Sequence, residues 1–355
     1  TGPYVDKFEK EIKKYLKSKY LYACSSGTAA IHLAMLSINF KKGDTILMPA
    51  VNFISSYNLA KILQLKVFLV DVDKNTGQMT PANVVDCINK NKLKNIKALV
   101  VMYHGGYPEY SKKFYDLKKK FHFYIIEDAC HALGSEYEYK KKFYKIGSCK
   151  HSDICTFSLH PLKSITSGEG GVVTTNNYQI AKKIKLLRSH GIARSKNKYW
   201  KYDVIENGLN YRLSDINCAL ALSQLKKISF FLRNRKLIYN TYYKELKNFN
   251  SNLFIPSYSK NIKSSFHLFL ININFKRLKK NKDHFLKYMN IHKILAQYHY
   301  IPIYKFHVYK EKKKKFTGAE QYYVNSISIP IYVSLNKIKQ NKIIKVIKNY
   351  FKKYC

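Results

Sequence analysis

A chain of 355 residues that is 46% hydrophobic exceeds the usual size of one domain and has material for a large core and a smaller second lobe. Lysine and arginine outnumber aspartate and glutamate by 64 to 22, a formal net charge of +42, yet the excess is almost all lysine, with arginine confined to positions such as Arg188, Arg194, Arg212, Arg233 and Arg235. The lysine runs at 118–120, 140–142 and 312–315 sit in or beside expected turns without a ladder of aromatics for base stacking, which argues against specific nucleic-acid binding and leaves a field that draws in small anions.

Along the chain, residues 6–18 carry Phe8, Ile12, Tyr15 and Leu16 at helical spacing, with Asp6 placed to cap the start, so they predict an amphipathic helix. Ser25-Ser26-Gly27-Thr28-Ala29-Ala30 then opens an apolar helical run; small residues there leave backbone N–H groups able to hold an anion, although an ordinary Ser/Thr cap has the same pattern. Short apolar runs at 45–50, 66–70, 98–103, 123–126, 154–158 and 171–175 read as strands separated by helical segments. This alternation predicts an α/β layer with a mostly parallel sheet, whose ligand site lies in the loops beyond the strands' carboxyl ends. From about residue 214 the rhythm changes to a long helix over 214–247, a strand-like 267–274, then helices and turns. The expected division is a large domain over 1–235 and a small C-terminal α+β domain over 236–355.

Seven cysteines, at 24, 87, 130, 149, 155, 218 and 355, form no Cys-x-x-Cys pair and have no companion histidines at zinc spacing, so reduced structural thiols and no metal site are expected. No charged leader with an apolar core is visible and no apolar run is long enough to cross a bilayer, which predicts a cytoplasmic protein.

The chemistry concentrates in Thr156-Phe157-Ser158-Leu159-His160-Pro161-Leu162-Lys163-Ser164-Ile165-Thr166-Ser167-Gly168-Glu169-Gly170-Gly171. In a lysine-rich protein a single lysine defaults to the surface, but this one follows a strand in a hydroxyl- and glycine-rich loop, a setting that desolvates an ammonium and suits it to Schiff-base chemistry. The run Phe-Ser-x-His-Pro-x-Lys, followed by Thr-x-Gly-Glu-Gly-Gly, resembles the DegT/DnrJ family of pyridoxal-phosphate (PLP) dependent sugar aminotransferases. The resemblance continues in order from Thr1-Gly2-Pro3 to Ser328-Ile329-Pro330 and so covers nearly the whole chain.

That resemblance implies a PLP-dependent transferase of fold type I, with Lys163 carrying pyridoxal 5'-phosphate. It implies that Gly27, Thr28 and Ser158 hold the phosphate, that Asp128 in Glu127-Asp128-Ala129-Cys130-His131-Ala132 pairs with the pyridine nitrogen, and that His131 faces the ring's phenolic oxygen. Phe53 falls where the family stacks an aromatic on the ring, and Asn210 in Gly208-Leu209-Asn210-Tyr211-Arg212 where an asparagine reaches the phosphate of the neighbouring subunit, which implies a homodimer with its site at the interface. Read without the resemblance, Asp128 is a helix N-cap, His131 a satisfied structural histidine, Phe53 a core residue, and the Asn210 segment a turn capped by Ser214.

Ser264-Ser265-Phe266-His267-Leu268-Phe269 and Gln297-Tyr298-His299-Tyr300-Ile301-Pro302-Ile303-Tyr304 look most like the pseudaminic-acid branch of the family. This implies L-glutamate as amino donor and a UDP-linked 4-keto-6-deoxy-2-acetamido sugar as acceptor, gripped by His267, His299 and Tyr300; alternating Tyr and Ile also describes a plain half-buried strand. TDP-linked sugars and other UDP-GlcNAc derivatives remain alternative acceptors. A sister group that removes a sugar hydroxyl carries histidine at the lysine position, so Lys163 speaks against it, and intact Lys163, Asp128 and Ser158 together speak against a non-catalytic regulator. The loop 103–108 follows the family's turn only loosely, which assigns His104 no role. Relatives carry a segment ahead of Thr-Gly-Pro that helps build the pocket or interface, and such a segment is expected to precede this sequence.

Overall fold

The computed structural model describes residues 2–195, 197, 200–309 and 315–354; Thr1, the lysines at 312–314 and Cys355 lie outside the described residues. Seven strands form the central sheet in the spatial order Tyr20–Cys24, Gly171–Thr175, Ile154–Ser158, Tyr124–Asp128, Ile96–Met102, Thr45–Pro49, Lys66–Val70. The last five are mutually parallel, while Gly171–Thr175 runs antiparallel to both its neighbours, so the edge strand Tyr20–Cys24 regains the common direction. Strands such as Ile154–Ser158 and Ile96–Met102 read as unbroken apolar runs because both faces of the sheet are covered and almost every side chain is buried. Five of the parallel strands and the antiparallel one match the six apolar runs; Tyr20–Cys24, with its alternating tyrosines, carried too weak a pattern.

Several local expectations are corrected. Asp6 does not cap the first helix, which spans Pro3–Leu16 after Gly2 and has Pro3 in its first turn, where a fixed φ and a missing N–H cost nothing. The cap comes from far along the chain: the Asp215 carboxylate accepts the N–H groups of Tyr4 and Val5 at 2.8 and 3.0 Å. The buried face is Val5, Phe8, Ile12 and Leu16, with Tyr15 only partly covered. Lysines 118–120 lie in the last turn of the helix Ser111–Phe121, where cations oppose the helix dipole favourably. Lys140 and Lys141 do form a turn, the left-handed pair joining the hairpin strands Glu136–Tyr139 and Lys142–Lys145. The single helix expected over 214–247 is two, Asp215–Leu225 and Ile228–Leu246, with the break at Lys226 and Lys227. No proline or glycine marks that break, so periodicity ran through it.

Two hydrophobic cores result. The first lies on the seven-stranded sheet. The second gathers Phe269, Phe285, Met289, Ile347, Tyr350 and Phe351 around a three-stranded antiparallel sheet of Leu253–Phe254, Phe269–Ile273 and Ser326–Ile329. The helix Ile228–Leu246 joins them: Ile228 packs in the first core, and Ile238, Tyr242 and Leu246 in the second.

Candidate active site

At the carboxyl end of the sheet, Asp128 is the last residue of its strand and only 3% exposed. No helix follows it, which corrects the N-cap reading. One carboxylate oxygen accepts the Cys130 N–H at 3.3 Å, and no cation pairs with it among the described residues. A buried carboxylate without a counter-charge is costly, and the position is one that a protonated ring nitrogen would satisfy.

Beside it, the helix Gly27–Ser37 begins at Ser26, whose side chain accepts the Ala29 N–H at 3.0 Å. A Cβ on Gly27 would stand 2.8 Å from the Ser158 Cβ and 3.1 Å from its Oγ, so glycine lets the first turn close onto that serine. The unsatisfied N–H groups of the helix, the exposed Thr28 and the Ser158 hydroxyl thus converge in a cradle suited to a phosphate.

Lys163 sits half-buried in the turn after Ile154–Ser158, its N–H donating to the His160 carbonyl at 2.9 Å. The rest of this loop is tied to itself: Ser167 N–H and Thr166 Oγ1 both donate to the Leu159 carbonyl, at 2.9 and 3.0 Å, and Ser167 Oγ donates to the Glu169 carbonyl at 2.7 Å. Two of the motif's hydroxyls, Thr166 and Ser167, therefore hold the loop's shape.

Lys163 lies near three histidines, His131, His267 and His299, and a fourth, His104, packs against the first of them. His131 and His267 lie with ring centroids 4.1 Å apart, and His104 and His299 are 6.0 and 6.3 Å from His131. Burial first, and then neighbouring positive groups including the Lys163 ammonium, push His131 and His267 well below the usual histidine range. Burial and the same ammonium bring His299 down to about 4, and burial brings His104 to about 3. His131 is anchored on both sides, accepting the Gly105 N–H at Nδ1 (3.4 Å) and meeting the Tyr300 hydroxyl at Nε2 (2.8 Å). The structure therefore brings together Asp128, His131, Lys163, His267, His299 and Tyr300, residues drawn from sequence segments far apart. It also adds His104, passed over in the sequence: His104 Nε2 meets the Tyr322 hydroxyl at 2.7 Å, and Tyr322 in turn donates to the His299 carbonyl at 2.6 Å. Only the pair of glycines after His104 hinted that this loop makes a tight approach. Among the described residues, no group of histidine, cysteine or acidic side chains is arranged to hold a metal ion.

Phe53 is not a core residue: it is 53% exposed, with its ring 5.9 Å from that of Tyr300, so an aromatic face is open above the site. Asn210 is exposed, held in a bridge to Ser189 beside an edge formed by Trp200, Tyr202, Val204, Ile205 and Leu209, all large and exposed. Ser214 does cap the next helix, accepting the Asn217 N–H at 3.2 Å, as the turn reading required.

A mostly parallel sheet presenting a helix N-terminus, a buried carboxylate and a loop lysine at its carboxyl end has the features of a fold type I α/β transferase. The chain belongs to the DegT/DnrJ/EryC1/StrS aminotransferase family, whose profile matches residues 1–348. It is 35% identical over 362 residues to the UDP-4-amino-4,6-dideoxy-N-acetyl-beta-L-altrosamine transaminase of Campylobacter jejuni strain 81-176, covering 100% of this chain and 92% of that one. Among solved structures it is similar to Helicobacter pylori PseC, an aminotransferase involved in the biosynthesis of pseudaminic acid, at TM-score 0.89 and 28% identity over 100% of this chain and 92% of that one. The fold is also that of the aminotransferase TlmJ from Streptoalloteichus hindustanus, at TM-score 0.90 and 21% identity over 99% and 92% of the two chains.

Proposed function

We propose that this chain, using PLP held on Lys163, transfers an amino group from L-glutamate to C4 of a UDP-linked 4-keto-6-deoxy-2-acetamido sugar in pseudaminic acid biosynthesis. The observation that carries the reading is the convergence at the carboxyl end of the sheet of the Gly27–Ser158 cradle, the Asp128 carboxylate and Lys163. These three fit a group with a phosphate, a basic ring nitrogen and an aldehyde. The names of the Campylobacter and Helicobacter relatives support the sugar and the pathway.

When bound, PLP supplies an electron sink for charge developing at the carbon that gains or loses the amino group. The chain's own residues do the rest. Asp128 holds a proton on the ring nitrogen. Lys163 Nζ removes the α-proton of glutamate and, in the return half, delivers a proton to C4 of the sugar. Gly27, Thr28 and Ser158 would grip the phosphate and Phe53 would cover one face of the ring, while His131, with both ring nitrogens engaged by the Gly105 N–H and the Tyr300 hydroxyl, acts through Tyr300. His267, His299 and Tyr300 face the sugar.

The exposed Asn210 and its apolar surround support a homodimer in which Asn210 completes the neighbouring site. Residues 1–235 form the large lobe and 236–355 the small one in this reading, with the helix Ile228–Leu246 running through the boundary. No helix among the described residues is long and apolar enough to cross a membrane, which accords with a cytoplasmic enzyme. The test is the visible spectrum of the PLP-supplied protein before and after L-glutamate alone. Loss of the lysine-bound PLP band with release of 2-oxoglutarate is expected; a folded sample that forms no such band sinks the reading.

A further inference from the structure

The hydrogen bonds around His131 decide which partner donates in its contact with Tyr300. Gly105 N–H donates to His131 Nδ1 at 3.4 Å, so the neutral ring carries its proton on Nε2. Burial, helped by the neighbouring His267 and Lys163, keeps that ring neutral. Nε2–H therefore donates to the Tyr300 oxygen, 2.8 Å away, and the phenol is left with its own proton to give. Burial and the Asp128 carboxylate hold the Tyr300 hydroxyl well above its usual range, so it keeps that proton. No acceptor for it occurs among the described residues.

The backbone that carries Tyr300 is held by a second relay with the same logic. Tyr322 commits its proton to the His299 carbonyl, so its oxygen must accept from His104 Nε2–H. The opposite nitrogen, His104 Nδ1, is buried with no hydrogen-bond partner, which is compatible with its being the unprotonated one. Two adjacent residues on one loop, His104 by its side chain and Gly105 by its amide through His131, thereby set both the position and the polarity of one hydroxyl.

We propose that Tyr300 is the hydrogen-bond donor to the keto oxygen of the sugar acceptor, its direction fixed by the Gly105 amide acting through His131. This rests on the aminotransferase reading. A neutral donor matches a neutral carbonyl, whereas the acceptor oxygens of glutamate are carboxylates that call for cations. The hydroxyl lies beside the open face of Phe53, with Asp128 and the Lys163-facing histidine cluster around it, where a donor polarises the carbonyl for attack by an amine. Tyr300 is the residue that touches substrate; His131 is a positioning residue.

The two half-reactions of PLP-loaded Tyr300→Phe, which keeps the ring and its packing, separate the possibilities. One is release of 2-oxoglutarate from L-glutamate, and the other is consumption of a UDP-linked 4-keto-6-deoxy-2-acetamido sugar by the aminated enzyme. The expected result is a loss of about a hundredfold in the sugar half-reaction, about tenfold or more beyond any loss in the glutamate half. His131→Asn should depress the same half-reaction and add little in the double variant, because it acts through Tyr300. Equal loss in both halves, an additive double variant, or a sugar rate within about twofold of wild type overturns the assignment. Failure of the wild type itself to release 2-oxoglutarate overturns the aminotransferase reading beneath it.

Discussion

The imidazoles of His131 and His267 pack 4.1 Å apart at 32° from parallel, beside the Lys163 ammonium. Two rings so placed cannot both be charged without removing the reason for their packing. Folded, they and His104 and His299 take up protons only far below the unfolded value of about 6.5. Below that pH the unfolded chain binds more protons than the folded one, so stability rises with pH through this window. Full stability is expected above about pH 6.5, with a loss on acidification of up to about 1.4 kcal/mol per pH unit for each such histidine. The loss continues toward the folded values of His299 and His104, about 4 and about 3. Melting temperatures between pH 7.5 and 5 measure this, the range being about that in which histidine alone titrates. Lys163→Met should flatten the acid limb by removing a repelling charge; an unchanged limb would mean the ammonium does not act on the cluster.

Asp128→Asn separates function from stability. Replacing a buried, uncompensated carboxylate by a neutral amide should leave the melting temperature of the apo protein unchanged or raise it. The same change removes the charge that holds a proton on the ring nitrogen, so turnover should fall by about a hundredfold or more. A destabilised apo protein with normal turnover would show that the carboxylate serves the fold.

Gly27→Ala tests the phosphate cradle. The new Cβ would meet the Ser158 Cβ at 2.8 Å, and both belong to backbone-anchored elements that must part to admit it. PLP binding, followed by fluorescence quenching of the apo protein, should weaken by about tenfold, or about 1.4 kcal/mol. Affinity equal to wild type would place the phosphate elsewhere.

Asp71 is expected to matter for stability alone. Its carboxylate accepts the N–H groups of Gly318 and Ala319 at 2.9 and 2.8 Å, capping the helix Thr317–Asn325 that carries Tyr322 to His104. Asp71→Ala should cost about 1–2 kcal/mol in denaturant unfolding, the usual worth of a lost N-terminal cap. A cost within error of zero would mean that water replaces the carboxylate.

What could be seen in the sequence was whatever is written contiguously. The six apolar runs, the Ser26 and Ser214 caps, and the loop around Lys163 each occupy one short stretch, because strand burial, helix capping and a strand-to-turn loop are set by neighbours in the chain. Asp128 was legible for the same reason, as a carboxylate at the end of an apolar run. Phe53 was singled out by the family resemblance alone, and its openness was not legible, since exposure depends on what packs above it.

Tertiary structure decided the rest. Asp215 caps a helix at residues 4 and 5, Asp71 caps one at 318 and 319, and His104 reaches the site through Tyr322, each pairing separated by about two hundred residues or more. No local pattern encodes such partners, because a carboxylate or imidazole looks alike in sequence whether it faces water or a distant backbone. By itself the sequence determined the sheet and pointed to one loop lysine and one strand-end carboxylate; only the folded chain decided which histidines are buried together and which groups Tyr300 meets, because those follow from burial and from hydrogen bonds closed across the whole molecule.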